Sequence, residues 1–272
     1  MDFTFHPSAE PPGEFQDCDL VFGFAGARLL LRGSDETLAV PSVAEIRRLG
    51  LSVDDPLYLG RLGERHCYAL SYPESPDSVA DISLHPLRAV AASMAEDLFV
   101  VAGRALQVLH WDKTHRYCGQ CGGVTERSLQ EHARNCASCN LLQFPRLSPA
   151  VIVLVKRGRE VLLGRGPHHP PGMHSILAGF VEPGESLEQA VHREIWEEAR
   201  IHVANLRYFG SQPWPFPHSL MVGFTADYAS GELQRNPAEL EHIDWYTKDN
   251  LPTLPMKASI ARKLIDAFLH GL

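Results

Sequence analysis

The apolar positions change rhythm along the chain, and each rhythm predicts a different element. In the first hundred residues, DLVFGFAGARLLL (Asp19 to Leu31) and LYLGRLGERHCYALSY (Leu57 to Tyr72) are short apolar runs with glycine-containing turns, which predicts strands. From Leu87 to Trp111 the apolar residues fall three and four apart, with good helix formers between them, which predicts a helix. After Pro149 the pattern shortens again. AVIVLVKRGREVLLGR predicts two strands around a Lys-Arg-Gly-Arg turn. The Gly/Pro-rich HHPPGMHSILAGFVEPGES then reads as a loop leading into a helix that runs to about Ala199. Leu206 to Gly210 and Leu220 to Tyr228 predict two more strands, and Lys257 to Leu269 an amphipathic helix with Ile260, Leu264, Ile265 and Phe268 on one side. Strands interleaved with helices from 147 to 272 predict a compact α/β domain, preceded by a small α/β or β-rich one.

Composition sets outer limits. A chain of 272 residues with 44% hydrophobic and 21% charged residues has material for two domains and is not a disordered polymer. Its start, MDFTFHPSAEPPGEF, has no basic segment followed by an apolar one, so no secretory signal is read. The longest clean apolar run, Ala150 to Val155, is far too short for a bilayer. The expectation is a cytoplasmic protein with no membrane association. A net charge of −8 argues against broad electrostatic binding to nucleic acid. The charge is uneven, however. Arg104 to Arg159 holds nine Lys/Arg against three Asp/Glu, a local +6 that leaves −14 for the rest.

The cysteines add chemistry to that basic window. Cys118, Cys121, Cys136 and Cys139 form C-x2-C-x14-C-x2-C, while Cys18 and Cys67 stand alone. In a cytosolic chain two such knuckles predict four thiolates around one ion, and a closed sulfur tetrahedron suits a structural Zn²⁺, one per subunit. Four thiolates and one Zn²⁺ carry −2, which lowers the local +6 to about +4. The ribbon is expected to join domains or build a subunit interface, with RNA contact a secondary possibility.

A second chemical feature lies in GFVEPGESLEQAVHREIWEEARI, which begins at Gly179. Glu194, Glu197 and Glu198 stand at i, i+3 and i+4 on one helical face, where like charges repel unless a hard cation such as Mg²⁺ or Mn²⁺ gathers them. Val191, Ile195 and Ala199 form an adjacent apolar row, and Ser186 is placed to cap the helix. The string resembles the Nudix box, G-x5-E-x7-R-E-U-x-E-E-x-G-U with U aliphatic: Gly179, Glu185, Arg193, Glu194, Ile195, Glu197, Glu198 and Ile201 all fit. Arg200 departs from it, standing where the family has glycine. The resemblance implies a hydrolase of nucleoside diphosphates linked to another moiety. Glu194, Glu197 and Glu198 would hold divalent cations, and Arg193 would pair with Glu185 to fix the helix. One of these glutamates, or a more distant acid, would orient or deprotonate the attacking water; Glu239 is the candidate for the distant acid and Glu241 its rival.

The choice of substrate comes from SQPWPFPHS at Ser211 to Ser219, too proline-rich for an interior strand. Together with the four-cysteine ribbon upstream, it resembles the NADH pyrophosphatase and NAD-capped RNA decapping branch of the Nudix hydrolases. The resemblance covers Tyr117 to the C-terminus, and earlier residues only in general layout. It implies an α/β (α+β) architecture: an N-terminal domain over 1–112, a zinc ribbon over 113–146 and a Nudix-fold catalytic domain over 147–272. It further implies that NAD(H) is split into nicotinamide mononucleotide and AMP, that NAD caps are removed from RNA 5′ ends, and that the enzyme is a homodimer with shared sites. Pro213, Pro215 and Pro217 would pre-set the backbone, Trp214 and Phe216 would stack on the substrate, and Gln212, His218 and Ser219 would lie against it. Phe180 would stack on nicotinamide, and Phe144 stands where the branch carries a substrate-contacting tyrosine. Ala178 would offer its carbonyl to a metal, Ala261 its backbone to the substrate, and Arg88 a charge to the phosphates. The rivals are a Nudix enzyme for another nucleotide, such as ADP-ribose or a dinucleoside polyphosphate, and a non-catalytic zinc-ribbon RNA-binding protein.

Overall fold

The computed structural model describes residues 5–14, 16–33, 38–73 and 82–271; residues 1–4 and 15, part of the stretch read for a leader, lie outside them. The chain divides into two compact units, Met1–Arg146 and Leu147–Leu272. In the first, the short apolar runs become β1 (Phe5–Pro7), β2 (Leu20–Ala25), β3 (Arg28–Arg32), β4 (Leu57–Leu62), β5 (Arg65–Tyr72) and β6 (Ile82–Pro86). They form one sheet in the order β1-β4-β5-β2-β3-β6, with β2 buried along its whole length. Helix α1 (Val43–Arg48) follows a capping box between Ser42 and Glu45.

Helix α2 (Glu96–Thr114) starts nine residues later than the apolar spacing from Leu87 predicts. Residues 87–94 are a series of turns, closed by bonds such as Ser93 N–H to the Val90 carbonyl at 3.1 Å. Leu87, Val90 and Ala91 are buried in them, which gives a helix-like apolar rhythm without a helix. The acidic pair Glu96 and Asp97 marks the true first turn, where negative charge favours the exposed N–H groups.

The ribbon strands β7 (Thr125–Arg127), β8 (Arg134–Cys136) and β9 (Leu142–Gln143) form a small antiparallel sheet. It is tied to the rest of the first unit by charge. Asp112, buried at the end of α2, accepts from Arg127 Nε at 2.7 Å and also pairs with Arg134, while Arg127 reaches on to Asp55. His132 adds a bond from its Nε2 to the Tyr58 carbonyl at 2.8 Å.

The second unit is built around β10 (Ser148–Arg157), which turns through Gly158 and Arg159 into β11 (Glu160–Arg165). Strand β12 (Leu177–Phe180), helix α3 (Leu187–Ala199), the long hairpin β13 (His202–Trp214) and β14 (Ser219–Ser230), β15 (His242–Tyr246) and helix α4 (Ile260–Leu269) follow. The sheet order is β13-β14-β10-β11-β15, with β12 paired to β10. Central β10 is apolar and buried from Ala150 to Val155, where both its faces are covered. Val151, Val153 and Val155 pack with Val191, Ile195 and Ala199 of α3. Ile152 and Leu154 pack on the other side with Ile260, Leu264 and Ile265 of α4. No helix among the described residues is long and apolar enough to cross a membrane.

Candidate active site and metal centre

Helix α3 is fixed at its start by Ser186, whose side chain accepts from Gln189 N–H while Gln189 reaches back to the Ser186 backbone. One turn on, Arg193 uses all five of its N–H donors. Nε and Nη2 grip Glu185 at 2.8 Å each, Nη2 also donates to the Phe180 carbonyl at 2.8 Å, and Nη1 donates to Glu194 at 2.7 Å and Glu197 at 3.0 Å. The guanidinium therefore ties the loop before α3, strand β12 and two acidic residues into one frame. Its hydrogen bonds hold the Glu185 carboxyl below the usual carboxylate range.

One carboxylate oxygen from each of Glu194, Glu198 and Glu239 lies within 4.8 Å of the others. Around an octahedral cation with oxygens at about 2.1 Å, neighbouring ligands stand about 3.0 Å apart and opposite ones about 4.2 Å. The 4.8 Å limit on the three acids is of the order of the opposite-ligand spacing. Glu194 and Glu198 are buried, and burial raises both their pKa values. Glu198, with Glu194, Glu239 and Glu197 around it, is pushed up to about 8. Two buried carboxylates facing each other and the exposed Glu239 are an electrostatic defect that a divalent cation would relieve.

Glu197 does not join the trio; its carboxylate is half-exposed and held by Arg193. Of the two rivals in the later loop, Glu239 lies in the cluster, whereas Glu241 pairs with Arg165 at 3.2 Å. Gly179 explains itself. A Cβ there would overlap the Glu194 carboxyl, so a larger residue would push that acid from its place beside β12 and Ala178. Arg200 adopts the left-handed conformation that the family's glycine would take, φ 59° and ψ 25°, with its guanidinium over the Trp196 ring at 5.4 Å. The helix exit is thus kept and the strain carried by an L-residue.

SQPWPFPHS is partly strand. Ser211 to Trp214 extend β13 beyond the predicted Gly210, pairing Gln212 with Met221 and Trp214 with Ser219. Since β13 is an edge strand, Pro213 needs no N–H on its open side. Pro215, Phe216, Pro217 and His218 make the turn, with the Trp214 and Phe216 rings edge to face at 5.3 Å. His218 is fixed by Ser148, whose backbone N–H donates to the His218 carbonyl at 2.9 Å.

Gln212 differs from expectation. Its Nε2 donates to the Ala258 carbonyl at 2.8 Å and its Oε1 accepts the Ile260 N–H at 2.7 Å. Both ends of the amide hold the N-terminus of α4 and are not turned to a ligand. Ala261 lies in the first turn of that helix. Phe180 is 57% exposed, its carbonyl held by Arg193. Phe144, 52% exposed, and Arg88 belong to the first unit. Sequence reasoning missed Asn236, whose Asn-Pro pair was the available turn signal.

The four cysteines converge as their spacing predicts. Cys118 and Cys139 sulfurs are 3.6 Å apart and those of Cys121 and Cys136 3.5 Å, near the ~3.8 Å edge of a tetrahedron with Zn–S of about 2.3 Å. The knuckles repeat one device. The residue after each second cysteine, Gly122 and Asn140, has a left-handed φ of 74° and 59° and returns its N–H to the first cysteine's carbonyl. The Gln120 backbone N–H donates to the Cys118 sulfur at 3.4 Å, the kind of bond that suits a metal-binding thiolate. The basic window around this centre is less free than its count suggests, because Arg127, Arg134, Lys156 and Arg157 are all in ion pairs.

Comparison with known proteins covers nearly the whole chain. Residues 145–268 match the NUDIX domain, residues 113–144 the NADH pyrophosphatase zinc ribbon domain, and residues 18–111 an NADH pyrophosphatase-like rudimentary NUDIX domain. That last match likens the first unit to a rudimentary form of the domain matched in the second. A Chromobacterium violaceum protein, NAD-capped RNA hydrolase NudC, is 50% identical over 180 residues, 66% of this chain and 68% of its own. Its namesake in Deinococcus radiodurans is 45% identical over 218 residues, 79% and 77% of the two chains. The one from Pseudomonas aeruginosa is 50% identical over 204 residues, 74% and 72%.

Proposed function

This chain belongs to the NAD-capped RNA hydrolase NudC family of Nudix hydrolases, and from that premise we propose that it splits the diphosphate of NAD(H) and removes NAD caps from RNA. The products are nicotinamide mononucleotide and AMP, or RNA with a 5′ monophosphate. The convergence of Glu194, Glu198 and Glu239 carries the reading. With Ala178 these acids would hold a divalent cation, Mg²⁺ or Mn²⁺, which when bound neutralises phosphate oxygens and lowers the pKa of water. Glu197, held by Arg193, would be the ligand for a further cation. The acids orient the water for in-line attack on one phosphorus, and the other phosphate departs with the bridging oxygen.

Substrate selection falls to the exposed ring of Phe180 and to the turn from Pro213 to Ser219, with Trp214 and Phe216 supplying stacking surface. Gln212 acts through α4, placing the Ala261 backbone. Phe144 and the ribbon serve a site shared between the subunits of a homodimer, Arg88 offers its charge to the phosphates, and the enzyme works in the cytoplasm. The decisive experiment compares kcat/KM for NADH, NAD-capped RNA, ADP-ribose and diadenosine polyphosphates, with and without divalent cation. NADH and capped RNA should lead; a tenfold preference for ADP-ribose overturns the assignment. Trp214→Ala and Phe180→Ala should raise KM for NADH about tenfold or more, in keeping with ~1–3 kcal/mol per stacked base.

A further inference from the structure

Glu239 reaches the acid cluster from the irregular segment between β14 and β15, not from a helix. A ligand on a loop is only as well placed as the contacts that hold its backbone and rotamer. Asn236 supplies those contacts. Its backbone N–H donates to the Glu198 carbonyl at 3.1 Å, at the end of the helix that bears the cluster's most buried acid. Its carbonyl accepts the Leu240 N–H at 3.0 Å, and its side-chain Oδ1 accepts the Ala238 N–H at 3.1 Å. That last bond closes an Asx turn, and it also decides the amide's orientation. With Oδ1 committed to a donor, Nδ2 is the end that faces Glu239, and it donates to Glu239 Oε1 at 2.9 Å. Pro237 follows, which favours extended backbone at Asn236 and suits the turn. One neutral residue therefore touches the helix end carrying Glu198 and the carboxylate of Glu239, adding no charge to an already repelling group.

We propose that Asn236 is a positioning residue: it sets the separation of Glu239 from Glu198, and thereby the affinity of the cluster for a divalent cation. The inference rests on the reading of that cluster as a cation site. The test is calorimetric titration of the full-length protein with Mn²⁺ in the absence of substrate, alongside NADH kinetics. Asn236→Ala should bind Mn²⁺ about tenfold more weakly, the lower end for loss of a partner that orients a ligand. At limiting Mn²⁺ its kcat should fall to match while KM for NADH stays within about twofold. Asn236→Asp keeps the acceptor for the Ala238 N–H and so the turn, but sets a carboxylate where the amide donates to Glu239, and should bind Mn²⁺ no more tightly than the alanine variant. Should the alanine variant not fold, Asn236→Gln takes its place with the same expected loss, since its longer chain displaces every donor and acceptor. Mn²⁺ binding unchanged in the alanine or glutamine variant, or an aspartate variant that binds as tightly as the parent, overturns the proposal. Glu198→Gln separates the two ideas: if it binds Mn²⁺ as the parent does, the cation site itself is wrong; if it alone loses binding, only the role of Asn236 fails.

Discussion

Replacing Glu198 by glutamine should make the metal-free protein more stable while abolishing its chemistry. Glu198 is 5% exposed, and burial, followed by the charges of Glu194, Glu239 and Glu197, raises its pKa from 4.5 to about 8. A carboxyl whose folded pKa is raised binds its proton more tightly in the native state than in the unfolded chain. Its favourable contribution is complete below pH 4.5 and is lost as pH rises toward 8. At 1.36 kcal/mol per unit, the loss at pH 8 is on the order of 4 to 5 kcal/mol, and about 3 kcal/mol by pH 7. Glutamine keeps the shape and never ionises, so it escapes that penalty. Relief of Glu194, itself raised by burial and by its acidic neighbours, adds in the same direction.

The assay is thermal melting in a strong chelator at pH 5 and pH 8, for the parent and for Glu198→Gln. At pH 5 the two should melt close together. At pH 8 the variant should melt higher by roughly 12 to 15 °C, taking about 3 °C per kcal/mol for a unit of this size. Adding Mn²⁺ should reverse the ranking, because a cation that binds only the folded parent stabilises it by RT ln(1 + [M]/Kd). NADH turnover by the variant should fall by more than the roughly 10–100-fold that loss of an outer partner costs. A parent whose metal-free melting point does not fall, relative to the variant, between pH 5 and pH 8 would refute the reasoning.

Three further outcomes follow from the same geometry. Cys136→Ser should release one zinc per chain, measured by elemental analysis, and lower the first unit's melting point, because the ion closes both knuckles. Gln212→Ala leaves the Ile260 N–H and the Ala258 carbonyl unpaired and should cost about 1–3 kcal/mol in urea unfolding, whereas Gln212→Glu, which keeps the acceptor for Ile260, should lose less. Arg200→Gly should change stability by less than about 1 kcal/mol, since relief of a left-handed L-residue, ~1–2 kcal/mol, is offset by glycine's chain entropy and by the contact with Trp196.

What the sequence reveals depends on how far each residue's partner lies along the chain. Glu185 and Arg193, the capping box at Ser186, the apolar row of Val191, Ile195 and Ala199, and both cysteine knuckles are local arrangements, so their spacing was enough to read them. Even within one helix the reading had a limit. Glu197 stands about 60° round the axis from Glu194, on the opposite side from Glu198 and toward Arg193, so the i, i+3, i+4 count groups acids that the guanidinium then separates. Long-range pairing was invisible. A charge count assigns Arg134 and Arg127 to a basic surface, yet Asp112 and Asp55 take them up. Gln212 reads as a ligand-facing amide until the chain brings Ala258 and Ile260 to both of its ends. The same holds for the prolines of SQPWPFPHS, which exclude an interior strand and permit an edge strand, a distinction made only once β14 and β10 occupy the places beside it. The chemistry of this protein was therefore legible where it is built on one helix or one turn. Glu239, placed across the fold by Asn236, needed the structure to show which of two nearby acids faces the cluster.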